Sequence, residues 1–425
     1  MIAVRYRDCQ RIELRRWLLA TILVATSLSG LATTIQDDWQ GVERIVAIGD
    51  IHGDYDNYMA VLKNAGVVNR RGRWAAGKTH VVQVGDIPDR GPDTLKIIEH
   101  LQKLEKQAKK AGGRLHLLIG NHEHMNITGD LRYVHPGEYE AFETRNSKQL
   151  RNNYYAYVVN TLEQQREALL ASGADASNLP APDDGFKREW YAEHPLGFVE
   201  HRLAWQKGGE LFEWIAAHNT VIRINDVLFL HGGLSAELLP LSITDINDRV
   251  RAELNREDFE GEPLGTADNG PLWYRGLARG DEAAERPALD SVLTHFDAEM
   301  IVLGHTPDLN AITPRFGGQV VIIDTGISAY YGGHLASLLI EDGTATAIHG
   351  DHRLALPTNT AEILPYFEAL AAEMPKNPRL AAHIAVLSNP PIESGTDSSP
   401  DPPPSLSAHR TQSTDTPNAT KSSQN

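Results

Sequence analysis

The sequence predicts an α/β fold. Three apolar runs, residues 44–48, 81–84 and 114–119, each end in a polar loop rich in glycine. Helical periodicity follows over residues 55–64 and 94–110. Strand–loop–helix units in series mean a parallel sheet with right-handed crossovers. Further strand-like runs return after residue 220.

Taken in order, the chain opens with Arg5, Arg7, Arg11, Arg15 and Arg16. An apolar stretch, residues 17–25, and small residues up to Ala32 follow. Basic, apolar, small is the order of a secretory signal peptide, so residues 1–32 are expected to be a leader cleaved near Ala32. Periplasmic or secreted protein follows. An uncleaved anchor is the alternative, although the apolar run is short for a span. Arg15-Arg16 also leaves a twin-arginine route open. The single cysteine, Cys9, lies inside this leader, so the mature chain is expected to carry no disulfide and no thiolate ligand.

The first strand ends in Gly49-Asp50-Ile51-His52-Gly53-Asp54, the second in Gly85-Asp86-Ile87-Pro88-Asp89-Arg90-Gly91 and the third in Gly120-Asn121-His122-Glu123. The helix over 94–110 carries Leu95, Ile98, Leu101 and Leu104 as its core stripe and stops at Gly112-Gly113. From residue 125 to 207 the pattern becomes long, polar and mostly helical, with candidates at 137–146, 150–172 and 197–218 and a loop at 173–184. This reads as an insertion capping the site. Its aromatics Tyr133, Tyr139, Tyr154, Tyr155, Tyr157, Trp190 and Tyr191 either line an entrance or pack the insertion's own small core.

A hairpin is expected over 221–224 and 227–230 around Asn225-Asp226, delivering His231-Gly232-Gly233. A helix over 246–254, capped by Ser242 or Thr244, precedes the loop Pro271-Leu272-Trp273-Tyr274-Arg275-Gly276. Strands at 300–303 and 320–323 end in Gly304-His305-Thr306-Pro307 and Asp324-Thr325-Gly326. A hairpin over 335–348 closes the sheet. Residues 351–388 should form a helical extension, with a helix over 360–372. Residues 389–425, dominated by Pro, Ser, Thr and Asp, should be a disordered tail.

Of 425 residues, 41% are hydrophobic, enough for a large core. The formal charge of −16 lacks the basic footprint of nucleic-acid binding and argues against that class. Cleavage of the leader would make the chain more acidic still and leave no stable membrane insertion. Oligomeric state is not readable.

Asp50, His52, Asp86, Asn121, His231 and His305 each follow an expected strand, beside glycine. A lone histidine there is more often structural, and a lone Asp-x-His is as readily a polar turn. Six ligand-type residues along one sheet edge are hard to explain as satisfied core groups. Mixed nitrogen and oxygen donors suit manganese first, with iron, zinc or cobalt as alternatives. Two ions sharing Asp86, about 3.5–4 Å apart, would clamp an in-line displacement and make hydroxide available near neutral pH. Arg90 can hold an anion bidentately.

The ordered set Gly-Asp-x-His-Gly, Gly-Asp-x-x-Asp-Arg-Gly, Gly-Asn-His-Glu, His-Gly-Gly and Gly-His resembles the phosphoprotein phosphatase family within the calcineurin-like metallophosphoesterases. The stretch from Gly120 to Val134 and the insertion after it are similar to the Shewanella-like branch. The resemblance covers about residues 42–350 and implies a β-sandwich core flanked by helices. It implies Asp50, His52 and Asp86 on a first metal, and Asp86, Asn121, His231 and His305 on a second. It implies His122 as general acid held by Asp89, and Arg90 and Arg275 on the phosphate. Pro88 stands where the family usually has valine. The implied activity is phosphomonoester hydrolysis on phosphoprotein Ser/Thr or Tyr. Hydrolysis of nucleotides or dinucleoside polyphosphates is the alternative. A non-catalytic metal-binding partner protein would be expected to lack a ligand, the acid or an arginine, and none is missing.

Overall fold

The computed structural model describes residues 35–256 and 262–389; the expected leader and nearly all of the expected tail lie outside them. A short β1 (Asp38–Trp39) precedes β2 (Arg44–Ile48), α1 (Tyr55–Asn64), β3 (His80–Gln83), α2 (Thr94–Ala111), β4 (Arg114–Leu117) and α3 (Asn121–Thr128). Five helices follow: α4 (Pro136–Ala141), α5 (Ser147–Ala171), α6 (Asp184–Glu193), α7 (Phe198–Trp205) and α8 (Glu210–Ala216). Strands β5 (Val221–Ile224) and β6 (Val227–Leu230) lead to α9 (Ile243–Asn255), α10 (Gly276–Arg279) and α11 (Glu282–His295). The chain closes with β7 (Met300–Leu303), β8 (Thr313–Arg315), β9 (Val320–Ile322), β10 (Ala336–Glu341), β11 (Thr344–His349), β12 (His352–Ala355), α12 (Ile363–Glu373) and α13 (Pro378–Ser388).

The strands form two six-stranded mixed sheets, ordered β1-β5-β6-β7-β9-β8 and β12-β11-β10-β2-β3-β4. The expected parallel run is present in β2-β3-β4, where Val46 pairs Val81 and Val81 pairs Leu115. It continues through antiparallel β10, which pairs Leu339 with Val46.

Alternation along each strand decides what each side chain buries against, because neighbours point to opposite faces. Ile45 and Ala47 of β2 join Ile222, Phe229, Val302 and Val321 in the core between the sheets. Val46 and Ile48 point the other way, into a cluster with Tyr58, Leu62, Ile98, Leu101 and Leu104 of α1 and α2. The second sheet does the same: Leu228, Leu230 and Ile301 face Ile246, Val250, Leu289 and Val292 of α9 and α11. The result is a β-sandwich with helices on its outer faces, as the resemblance implied.

Several elements differ from expectation. On α2, Ile97 is buried while Leu95 is only partly so. The expected helix over 197–218 is two, α7 and α8, separated where Gly208 takes φ 87°. The extension after residue 350 is not wholly helical: β12 adds an edge strand, and Tyr366, Phe367, Leu370 and Leu380 of the last helices pack into the inter-sheet core. Helix α11 has no counterpart among the expected elements, and it carries Pro287 in its interior, a residue disfavoured there. Strand β8 carries Pro314 and lies at a sheet edge, where a residue without an N–H is tolerated.

Candidate active site

Strands β2, β3, β4, β6 and β7 run in parallel sets and release their loops at one end of the sandwich. Those loops carry Asp50, His52, Asp86, Asn121, His231 and His305, and the structure brings all six together, each buried. Asp86 is central. Its Oδ1 lies 3.3 Å from His231 Nε2, and its Oδ2 lies 3.6 Å from His52 Nε2 and 3.7 Å from His122 Nε2. Donor atoms of His52, Asp86 and His122 lie within 4.8 Å of one another, as do those of Asp86, His231 and His305. The Asn121 Oδ1 faces His231 Nε2 at 2.8 Å. Asp50 accepts the His305 N–H with both oxygens at 3.1 Å and lies 3.8 Å from His52 Nε2.

The ring nitrogens that face away from the centre are held by backbone. His52 Nδ1 meets the Pro88 carbonyl at 3.1 Å and His231 Nδ1 meets the Val84 carbonyl at 3.0 Å. These contacts put Nδ1–H outward and leave Nε2 free for the centre. His52, Asp86, Asp89, Arg90 and His305 all have positive φ, between 48° and 72°. Side chains in that region cost of order 1–3 kcal/mol each, and such strain gathers where a fold must aim groups.

Two residues the sequence reading passed over belong here. Glu123 accepts the N–H groups of Asp86 at 3.0 Å, Ile87 at 2.7 Å and Gly120 at 2.8 Å, so it fixes the two loops relative to each other. Burial, and then Asp86, raise its pKa to about 7. Asp324, beside Asp50, is pushed up to about 6 by burial above all. Burial, with Asp324 and Asp86, raises Asp50 well above the usual carboxylate range. Asp324 carries the signal used for the other six residues, a polar group just after a strand next to glycine.

The donor set fits metal. Three carboxylates are buried side by side, an arrangement that bound cations relieve. His305 Nε2 is buried and has no protein partner. Burial pushes His52 down to about 3, so its imidazole is in the neutral form a metal needs.

His122 donates from Nδ1 to Asp89 Oδ2 at 2.5 Å, while Asn126 Nδ2 donates to Asp89 Oδ1 at 2.9 Å. Burial pushes the His122 pKa down, but Asp86 and Asp89 outweigh it and the net shift is upward. The Arg90 guanidinium lies 3.8 Å over the Tyr133 ring and 4.9 Å from the Tyr330 ring, and Arg275 donates to the His305 carbonyl at 2.5 Å. Both arginines are half-buried at the edge of the cluster. Of the insertion's aromatics, Tyr133 stands at the site, 5.2 Å from the His122 ring. Tyr154, Tyr155, Trp190 and Tyr191 pack against one another at tilted angles, and Tyr139 packs on Phe198 and His201.

Comparison with known proteins gives the family. The family description calcineurin-like phosphoesterase matches residues 43–309. The chain belongs to the calcineurin-like phosphoesterases. It is 34% identical to an uncharacterised protein of Schizosaccharomyces pombe over 307 residues, 72% of this chain and 79% of that one. It is 31% identical to Shewanella-like protein phosphatase 2 of Arabidopsis thaliana, over 69% of this chain and 74% of the relative. Among solved structures, a cold-active protein-tyrosine phosphatase of a psychrophilic Shewanella species superposes with a TM-score of 0.57 at 29% identity, covering 76% of this chain and 82% of that one. This metallophosphoesterase is therefore a phosphoric monoester hydrolase, and its substrates are phosphorylated.

Proposed function

We propose that this metallophosphoesterase is a protein phosphatase, acting on phosphorylated Ser/Thr or Tyr side chains with two metal ions that share Asp86. The observation that carries the reading is the meeting of the buried His/Asp/Asn cluster with Arg90 and Arg275 at its edge. Its relatives' names, protein phosphatase and protein-tyrosine phosphatase, support a protein substrate.

Asp50, His52 and Asp86 would hold one ion, and Asp86, Asn121, His231 and His305 the other. When bound, such ions supply Lewis acidity and water activation. The rest falls to side chains. A phosphate dianion approaching an acidic protein needs local positive charge, and Arg90 and Arg275 give it in a fixed place. The flanking Tyr133 and Tyr330 rings keep Arg90 from folding away. His122 delivers the proton from Nε2 to the departing oxygen, while Asp89 holds Nδ1–H and so fixes the ring's orientation. No covalent phosphoenzyme is required.

Purified protein stripped with a chelator and then given Mn²⁺ should lose and regain hydrolysis of an aryl phosphate. Full activity after thorough demetallation would sink the mechanism. The metal-loaded protein should then cleave a phosphotyrosine or phosphothreonine peptide faster than nucleotides or dinucleoside polyphosphates. The opposite order would favour a small-molecule hydrolase.

A further inference from the structure

Helices α4 and α7 of the insertion reach the back of the His122–Asp89 pair. The Asp89 backbone N–H donates to Glu138 Oε1 of α4 at 2.7 Å, and both residues are fully buried. Asp89 has φ 72°, a conformation its side chain would not choose unaided. The next residue is held from the same segment: Arg90 N–H donates to the Tyr133 carbonyl at 3.1 Å. From the other side, Arg202 of α7 donates to the carbonyls of Asn126 and Ile127 at the end of α3, 2.5 and 3.5 Å away. Helix α3 carries His122 in its first turn. Its neighbour on α7, His201, lies 3.8 Å from Glu138 Oε2 with neither ring nitrogen hydrogen-bonded. Adjacent residues of α7 thus abut Glu138 behind Asp89 and grip the helix bearing His122.

Burial disfavours charge on both partners of the Glu138–His201 contact. Burial, then Asp89, raises the Glu138 pKa, and burial drives His201 down to about 3. Both groups are pushed toward their neutral forms. What remains for Glu138 is a directed oxygen on one strained amide.

We propose that Glu138 is a positioning residue: seated on the Asp89 amide, it makes the helical insertion hold the His122–Asp89 pair in proton-delivering geometry. The inference rests on His122 being the general acid. The insertion is then part of the protonation machinery as well as a cover, because a displacement of Asp89 moves the imidazole with it.

The test uses the full chain, metal-loaded, on aryl phosphates whose phenols range from nitrophenol to phenol. A poor leaving group needs the proton and a good one does not, so the dependence of kcat/KM on leaving-group pKa reads proton delivery. His122→Asn should steepen that dependence. Glu138→Ala should steepen it too, losing roughly 10- to 100-fold on phenyl phosphate with little change on nitrophenyl phosphate and unchanged metal content. Glu138→Gln keeps an oxygen for the amide and should restore the shallow dependence. Equal losses on all esters in Glu138→Ala, no loss, or a Gln variant as impaired as Ala would overturn the positioning role while His122→Asn still marks the acid. An unchanged dependence in His122→Asn would instead overturn the acid assignment, and the positioning role with it. If Glu138→Ala does not fold, Glu138→Asp carries the test. Its shorter side chain draws the oxygen off the amide and should give an intermediate steepening; a dependence as shallow as wild type would overturn the proposal.

Discussion

Asp86 Oδ1 faces His231 while Oδ2 faces His52 and His122, so one carboxylate serves both halves of the cluster. Asp86→Asn should therefore lower metal content as well as rate, since a neutral amide is a poor bridge between cations. Elemental analysis of the purified variant checks this, and two ions retained per chain would refute a shared ligand. His122 has a different expected signature. By distance alone its Nε2 could join His52 and Asp86 around an ion. As a general acid it should instead leave metal content intact when changed to Asn. It should also lower the rate on an alkyl ester such as a phosphothreonine peptide by about 10²–10⁴-fold, well beyond the loss on nitrophenyl phosphate. Loss of an ion in His122→Asn would make it a ligand.

Among the elements, the helical segment α4 to α7 is anchored more deeply than a surface cap. Trp205, at the end of α7, is fully buried in the same cluster as α2 and α9. Trp205→Ala should cost about 3–5 kcal/mol, seen as a lower denaturation midpoint. The turn into α7 depends on Gly197, at φ 81°, where an added Cβ would overlap the Tyr139 carbonyl oxygen. Gly197→Ala should loosen α7 from α4 and expose the 139–198 contact to proteolysis; protection equal to wild type would count against that packing. His201, on the same helix, should make this segment sensitive to acid. Burial and Arg202 depress its pKa from the usual value near 6.5 to about 3. The unfolded chain then binds more protons between those values, so stability rises with pH across that window. Its contribution is whole above about pH 6.5 and is lost as the pH falls toward 3. Denaturant midpoints measured over that range should fall more steeply for wild type than for His201→Phe.

For the whole molecule, no helix among the described residues is long and apolar enough to cross a membrane. Residues 1–32 lie outside that description. We propose that they direct export and are removed near Ala32, from their basic, apolar and small-residue order. Intact-mass measurement of protein recovered from a cell-envelope fraction should show a chain beginning close to residue 33. A cytosolic chain still starting at Met1 would show that the segment is no signal.

What the sequence determined by itself was local. Continuous apolar runs marked β2 and β3, a period of 3.6 residues marked α1 and α2, and glycine beside Asp, His or Asn marked where each strand delivers a candidate ligand. None of these signals needs knowledge of distant residues. Asp50, His52, Asp86, Asn121, His231 and His305 were legible for that reason, and Asp324 would have been by the same rule. Tertiary structure decided the rest. Glu138 reaches Asp89 across 49 positions, and His305 reaches Asp50 across 255. The helical pattern around Glu138 says only that it sits in a helix. The left-handed backbone at Asp86, Asp89 and Arg90 is likewise invisible in residue types that prefer other conformations. It persists because Glu123, Glu138 and the Tyr133 carbonyl, all remote in the chain, supply the acceptors that hold it.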